Sequence, residues 1–250
     1  MDRTNEQELI HRLKRSFTRI DSPLQFKWTI YRHNITPEKQ IGPTCGLVAL
    51  RMAGTYLRTP LPPPTITDLL QTAQANQWSF LGEMFSAAHV ARLAEMAFGL
   101  NADVVDWDED GAAGAQVLDV LLDGGLVLLA YDPDFNHEPV LKGGASAHWC
   151  LINGCAWPTS LSSETTISLT PLPRTQSSPV ALLDPFDGLC LLAYHGKSLH
   201  QSVWKYKDLF KSSSNLKYAG DIVVKSGRYQ INPEGNLDAL CRKLVILRHA

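Results

Sequence analysis

The chain has no apolar run long enough to cross a bilayer. Its longest, Leu126-Val127-Leu128-Leu129-Ala130 and Leu189-Cys190-Leu191-Leu192-Ala193, fall far short of the roughly 20 residues a spanning helix needs, so no membrane association is expected. It also has no charge excess. With 23 basic against 25 acidic residues and a net charge of -2, nothing draws it in bulk to nucleic acid, and a charged partner has to be read by a local patch. The start, Met1-Asp2-Arg3-Thr4-Asn5-Glu6-Gln7-Glu8, is polar and acidic where a secretory signal is basic and then apolar. Cysteine is scarce: 5 residues, at 45, 150, 155, 190 and 241, without paired short spacings, which argues against a disulfide framework and for a reducing, cytoplasmic setting. Neither a strand-linked glycine fingerprint nor a Walker-type lysine motif offers a phosphate cradle. His137, His148 and Cys150 lie near one another in sequence but lack a four-ligand zinc spacing, so neither a metal nor another cofactor is expected.

What is present is ample apolar material, 44% of 250 residues, enough for a folded core. Residues 6–20 place Leu9, Ile10, Leu13, Phe17 and Ile20 on one side and Arg12, Lys14, Arg15 and Arg19 largely on another. That period predicts an amphipathic N-terminal helix within residues 1–22, docked by its apolar stripe on a main domain of residues 23–250. Alternation in Phe26-Lys27-Trp28-Thr29-Ile30-Tyr31 predicts a short strand. Helices are expected from Cys45 to Leu57, from the cap-like Thr65-Ile66-Thr67-Asp68, from Glu83 to Phe98 and from Ala115 to Leu122. Strands are expected at 102–107, 126–131, 147–153, 180–183 and 189–194, and again at 221–224 and 244–247. Trp204 to Phe210 reads as helical, and residues 158–178, rich in Ser, Thr and Pro, as a mobile surface insertion. Helices first and sheet afterwards make an α+β layout.

The most informative stretch is Gln40-Ile41-Gly42-Pro43-Thr44-Cys45-Gly46, which runs into the apolar Leu47-Val48-Ala49-Leu50. Gly42-Pro43 forces a turn, so Cys45 opens a buried helix, where unpaired N–H groups and the macrodipole lower a thiol's pKa. A packed structural cysteine would not call for Gly46, whose small size lets the backbone approach a ligand, nor for the upstream Gln40 amide.

A cysteine nucleophile needs a base. His148 opens the strand Ala147-His148-Trp149-Cys150-Leu151-Ile152-Asn153 behind a flexible Gly143-Gly144 loop, and groups that meet only in the fold are commonly this far apart in sequence. An acceptor must then hold the imidazole in one tautomer. Asp184, which ends Val180-Ala181-Leu182-Leu183, is the first candidate, with Asp187 and Asn153 as alternatives. The Gln40 amide and the Cys45 backbone N–H can form an oxyanion hole.

These Gln, Cys-Gly, His-Trp and Asp-Pro elements, in that order, resemble papain-like peptidases, and among them the bacteriocin-processing peptidases. Longer blocks, Gly42 to Gly54, Gly82-Glu83-Met84-Phe85, Tyr131 to Pro139, Ala147-His148-Trp149 and His195-Gly196-Lys197-Ser198, resemble the actin maturation protease family over most of the chain from about residue 25. The resemblance implies a papain-like fold, with Cys45 on a central helix packed on an antiparallel sheet that carries His148 and Asp184. It implies removal of the acetylated first residue, Met or Cys, from immature actin, which exposes actin's acidic stretch. Basic groups are then expected on the leaving-group side, and Lys142 and Lys197 are the candidates. Members of the family carry a proline-rich N-terminal tail suited to profilin, whereas the proline cluster here, Pro60 to Pro64, is internal, which leaves profilin recruitment open. Two other readings of the same residues are a cysteine peptidase or deubiquitinase acting on another protein, and an idle actin-binding module.

Overall fold

The computed structural model describes residues 8, 11, 12, 25–57, 62–108, 112–162, 167–169 and 188–250. The described strands form one eight-stranded sheet in the order β2-β8-β3-β4-β1-β5, with β6 pairing β4 and β7. They are β1 (Gln25–Arg32), β2 (Asn101–Asp106), β3 (Leu126–Tyr131), β4 (His148–Ser162), β5 (Ile167–Leu169), β6 (Cys190–Tyr194), β7 (Ser202–Lys205) and β8 (Lys243–Arg248). All pairings are antiparallel except β1 with β5. The helices are α1 (Cys45–Tyr56), α2 (Ile66–Ala75), α3 (Ala87–Phe98), α4 (Ala112–Leu122), α5 (Tyr206–Ser214) and the short α6 (Asp221–Lys225). Mixed helices and antiparallel sheet give the expected α+β class. Among the described residues no helix is long and apolar enough to cross a membrane.

The sheet is covered on both faces, which explains why β3 is a continuous apolar run. Leu126, Leu128 and Ala130 of β3 pack with Trp149 and Leu151 of β4 against Leu47, Leu50, Met52 and the helices α2 and α3. Val127, Leu129 and Tyr131 turn the other way, toward α4, Trp107, Trp204 and Leu209. A strand that alternates its residues between two cores has no wet face and therefore no polar alternation. Each fully buried Leu or Val contributes about 1.5–3 kcal/mol, and these two layers fix the sheet on which β4 carries His148.

Local chemistry sets the helix ends. Thr65 and Asp68 form a reciprocal capping box at α2, as its N-cap pattern predicts. Helix α3 starts at Ala87, not Glu83, because Ser86 caps it through the His89 N–H, and Gly99 ends it in the left-handed conformation. Glu83 is instead a buried carboxylate that accepts the amides of Phe80, Leu81 and Gln230 at 2.8 Å each. Close approach of α1 to α3 depends on Gly54, where a Cβ would lie 2.4 Å from the Phe98 ring.

Three expectations are corrected. Residues 158–162 are not loop but the outer half of β4, paired with β1 from Gln25 to Trp28, and residues 167–169 form β5 on the other edge of β1; β-branched and hydroxyl side chains suit such a ladder. Residues 221–224 belong to a helix, not a strand. Three apolar residues after Asp221 carry too little periodicity to decide, and the helical turn that forms has Gly220 at its N-cap and an exposed Lys225–Asp221 ion pair at 2.6 Å. The segment from Trp204 to Phe210 divides into the end of β7 and the start of α5. Of the N-terminal helix, Glu8, His11 and Arg12 are helical and an Arg12–Glu8 pair spans 2.9 Å; its other residues lie outside the described ones, as do residues 163–166 and 170–187.

Candidate active site

Helix α1 begins at Cys45 with no side-chain cap. Thr44 occupies the N-cap position but donates its hydroxyl to Ile41 O at 2.9 Å, and no acidic residue lies in the first turn. The first-turn amides are thus left to a group other than a capping oxygen. The Cys45 sulfur lies close enough to the backbone N–H of Gly46, in that first turn, to the backbone N–H of Trp149 on the strand and to the His148 ring for each to stabilise its anion. Burial pushes the partly buried thiol up, and the positive imidazole with these three donors outweighs it, so its pKa falls below the ordinary 9.0. His148 responds in kind. Burial pulls it down, but the Cys45 anion, the bond to the sulfur and a backbone acceptor carry it above the ordinary 6.5. Both shifts favour the thiolate–imidazolium form, the reactive state of a cysteine nucleophile.

The sheet supplies the histidine. His148 is the first residue of β4 and pairs with Tyr131 of β3. Its Nε2 lies 2.7 Å from the backbone O of His195, in the turn after β6. A carbonyl only accepts, so Nε2 carries the proton and Nδ1 is the nitrogen that faces the sulfur. Trp149, the next residue, packs on α1 and donates its indole N–H to Met84 O at 2.8 Å. A Cβ at Gly46 would come within 3.1 Å of Met84 and Trp149. The small residue after Cys45 therefore admits Trp149 and Met84, not a ligand as its position in the motif suggests.

Gln40 is tied to the same turn. Its backbone N–H donates to Gly196 O at 2.7 Å, and its Nε2 donates to Gly42 O at 2.8 Å, while its buried Oε1 has no hydrogen-bond partner. The motif's Gly42 holds φ 68, a left-handed turn open to glycine. Asn153, one of the alternatives for orienting the ring, is engaged elsewhere: its Nδ2 donates to His33 O and its Oδ1 accepts from Gln201 Nε2. Asp184 and Asp187 lie outside the described residues.

The loop from 132 to 147 borders the site and is firmly built. Asp132, fully buried, accepts the amides of Lys142 and Gly144 on Oδ2. Asp134 Oδ1 accepts those of Asn136 and Glu138. This loop brings His137 beside two other imidazoles, with ring centroids 5.2 Å from His148 and 4.8 Å from His195. Cys150, two residues beyond His148, is fully buried in the other core and its thiol is pushed well up by burial, so it takes no part in that histidine group. Lys142 and Lys197 are both exposed, and the charge of Lys197 reaches the site, depressing His137 and opposing protonation of His148. A cavity of about 500 Å³ opens beside Asn136, Glu138, Trp204 and Asp208 and contains neither Cys45 nor His148. His195 is the site residue that sequence reasoning missed, because it contributes a main-chain oxygen; the His195-Gly196-Lys197-Ser198 block was its one signal.

The sequence profile described as "Actin maturation protease-like, C-terminal domain" matches residues 35–156, which contain Gln40, Cys45 and His148. A protein named actin maturation protease from Xenopus tropicalis is 33% identical over 246 residues, spanning 97% of this chain and 80% of that protein. Proteins of the same name from Danio rerio and Bos taurus are 32% and 35% identical, spanning 88% and 94% of this chain and 75% and 70% of their own lengths. Among solved structures, one described as a C39-like peptidase from Bacillus anthracis has a TM-score of 0.45 and 9% identity over 86% of this chain and 95% of its own, a degree of likeness that leaves the fold to be read from the strands and helices themselves.

Proposed function

The chain belongs to the actin maturation protease family, and from that footing we propose that it is a cysteine-type aminopeptidase that removes the N-acetylated first residue, Met or Cys, from immature actin. One observation carries the reading: the hydrogen-bonded Cys45–His148 pair, with a depressed thiol and an elevated imidazole, at the N-terminus of α1.

The Cys45 thiolate attacks the carbonyl carbon of the acetylated residue, and the oxygen becomes an oxyanion. The backbone N–H of Cys45 and the second hydrogen of Gln40 Nε2, whose first goes to Gly42 O, receive it. Loss of one such donor costs about a hundred- to a thousandfold in rate. The His148 imidazolium then gives its proton to the departing amine, the new N-terminus of actin, as the C–N bond breaks. Water, deprotonated by the now neutral ring, attacks the thioester and frees the acetyl-amino acid. His195 O keeps the ring in the productive tautomer throughout. A blocked terminus has no positive charge, so the site needs no acidic anchor, only an apolar wall. Ile41, 89% exposed in the turn before Cys45, and Phe135, 95% exposed on the bordering loop, suit that use. Lys142 and Lys197 face the acidic residues that follow the cut.

Incubation with a peptide of acetylated actin N-terminal sequence, followed by mass measurement, tests the reading. Loss of one acetylated residue by the wild type and none by Cys45→Ala is expected; an intact peptide, or equal cleavage by the variant, would overturn it.

A further inference from the structure

We propose that His137, His148 and His195 form a zinc site that switches the peptidase off. The three come from separate elements, the loop after β3, the first residue of β4 and the turn after β6, and one ring nitrogen of each lies within 4.8 Å of the others. Tetrahedral zinc with bonds of about 2.0–2.1 Å holds imidazole nitrogens about 3.4 Å apart, so ring rotations of an ångström or so close the site. Two of the rings are buried, at 6% and 5% exposure for His148 and His195.

The third ring supplies the second observation. His137 Nδ1 is buried without a hydrogen-bond partner, and a buried polar atom left unanswered calls for an occupant. Its loop is built to hold it there. Asp134 accepts two amides, Asp134 N donates to Glu138 O, Tyr131 donates its hydroxyl to His137 O at 3.0 Å, and His137 itself sits at φ 62 in the left-handed region. His195 Nδ1 takes only a long 3.3 Å bond from the Lys197 amide, weak enough to yield to a metal. Among the described residues no carboxylate belongs to the group, which disfavours calcium and magnesium, whereas three imidazoles with a fourth position open to water suit zinc.

The switch, though not the binding, rests on His148 being the base. A ring nitrogen of His148 that ligates zinc gives up either its bond to Cys45 or its bond to His195 O, and with it the proton shuttle. When zinc enters the ionised pair, the proton of His148 leaves to solvent and no bond to carbon or sulfur changes.

The test uses the full chain stripped with a chelator and titrated with Zn2+ in competition with a fluorescent zinc indicator, beside hydrolysis of the acetylated actin peptide. One zinc per chain is expected, with inhibition that follows the binding curve and is reversed by EDTA. Cys45→Ala should still bind zinc, since the histidines hold it. His137→Ala should hydrolyse peptide normally without metal yet bind zinc at least about tenfold more weakly; His195→Gln, read by binding alone, serves as second variant should His137→Ala misfold. Wild-type binding by His137→Ala, or loss of binding in Cys45→Ala, would overturn the site. Stoichiometric binding without inhibition would overturn the switch, and activation by zinc would do the same. Because binding is read without turnover, failure of the zinc site stays distinct from failure of the Cys45–His148 mechanism.

Discussion

His148 Nε2 lies 2.7 Å from the main-chain oxygen of His195, so among the described residues a backbone group orients the imidazole of the proposed base. A carbonyl fixes the tautomer as well as an Asp does, and without a formal charge to stabilise imidazolium. The thiolate of Cys45 supplies that charge instead.

This arrangement predicts that Asp184→Asn lowers kcat/KM by less than about tenfold. Where a carboxylate does the orienting, its neutralisation costs about ten-thousandfold. Steady-state hydrolysis of the acetylated peptide separates the two, and a loss on the larger scale would return the role to Asp184.

Gly46→Ala tests the packing under the sulfur. An added methyl at 3.1 Å from both Met84 and Trp149 forces the Trp149 indole, and with it the start of β4, away from α1. Small misplacements of a base are costly, so kcat is expected to fall by about tenfold or more while thermal unfolding shifts by only a few degrees. Wild-type turnover would show that Trp149 does not position the pair.

Acid stability follows from the buried rings. Burial and the neighbouring imidazoles of His137 and His148 hold His195 down at about 3, against an ordinary 6.5. The unfolded chain therefore takes up this proton first, and the contribution is full above pH 6.5 and lost as pH falls from there toward 3. The slope from this one group is at most about 1.4 kcal/mol per pH unit. Urea midpoints at descending pH should fall for the wild type and fall less steeply for His195→Gln; parallel curves would contradict the burial argument.

The Cys45 turn and helix were legible because Gly42-Pro43 and an unbroken apolar run each carry a strong local signal, and His148 because a histidine at a strand mouth is conspicuous. His195 was not, since no pattern in side chains announces a main-chain acceptor. Gly46 reads the same in sequence whether it admits a ligand or Trp149. The two-sided burial of β3 was hidden in its apolar run, which a one-faced and a two-faced sheet both permit, and the outer half of β4 was masked by Ser and Thr, which suit loops and edge ladders alike. Residues 221–224 show the limit of short windows, where three apolar residues fit a helical turn and a strand alike.

The central claim is that His148 keeps Cys45 anionic, and it is met most directly by the pH dependence of Cys45 alkylation in the wild type and in His148→Ala. Burial raises the thiol while His148 lowers it. The wild type should therefore react with a midpoint below the ordinary 9.0, and the variant's midpoint should lie above that of the wild type. Identical midpoints in the two proteins would contradict the account.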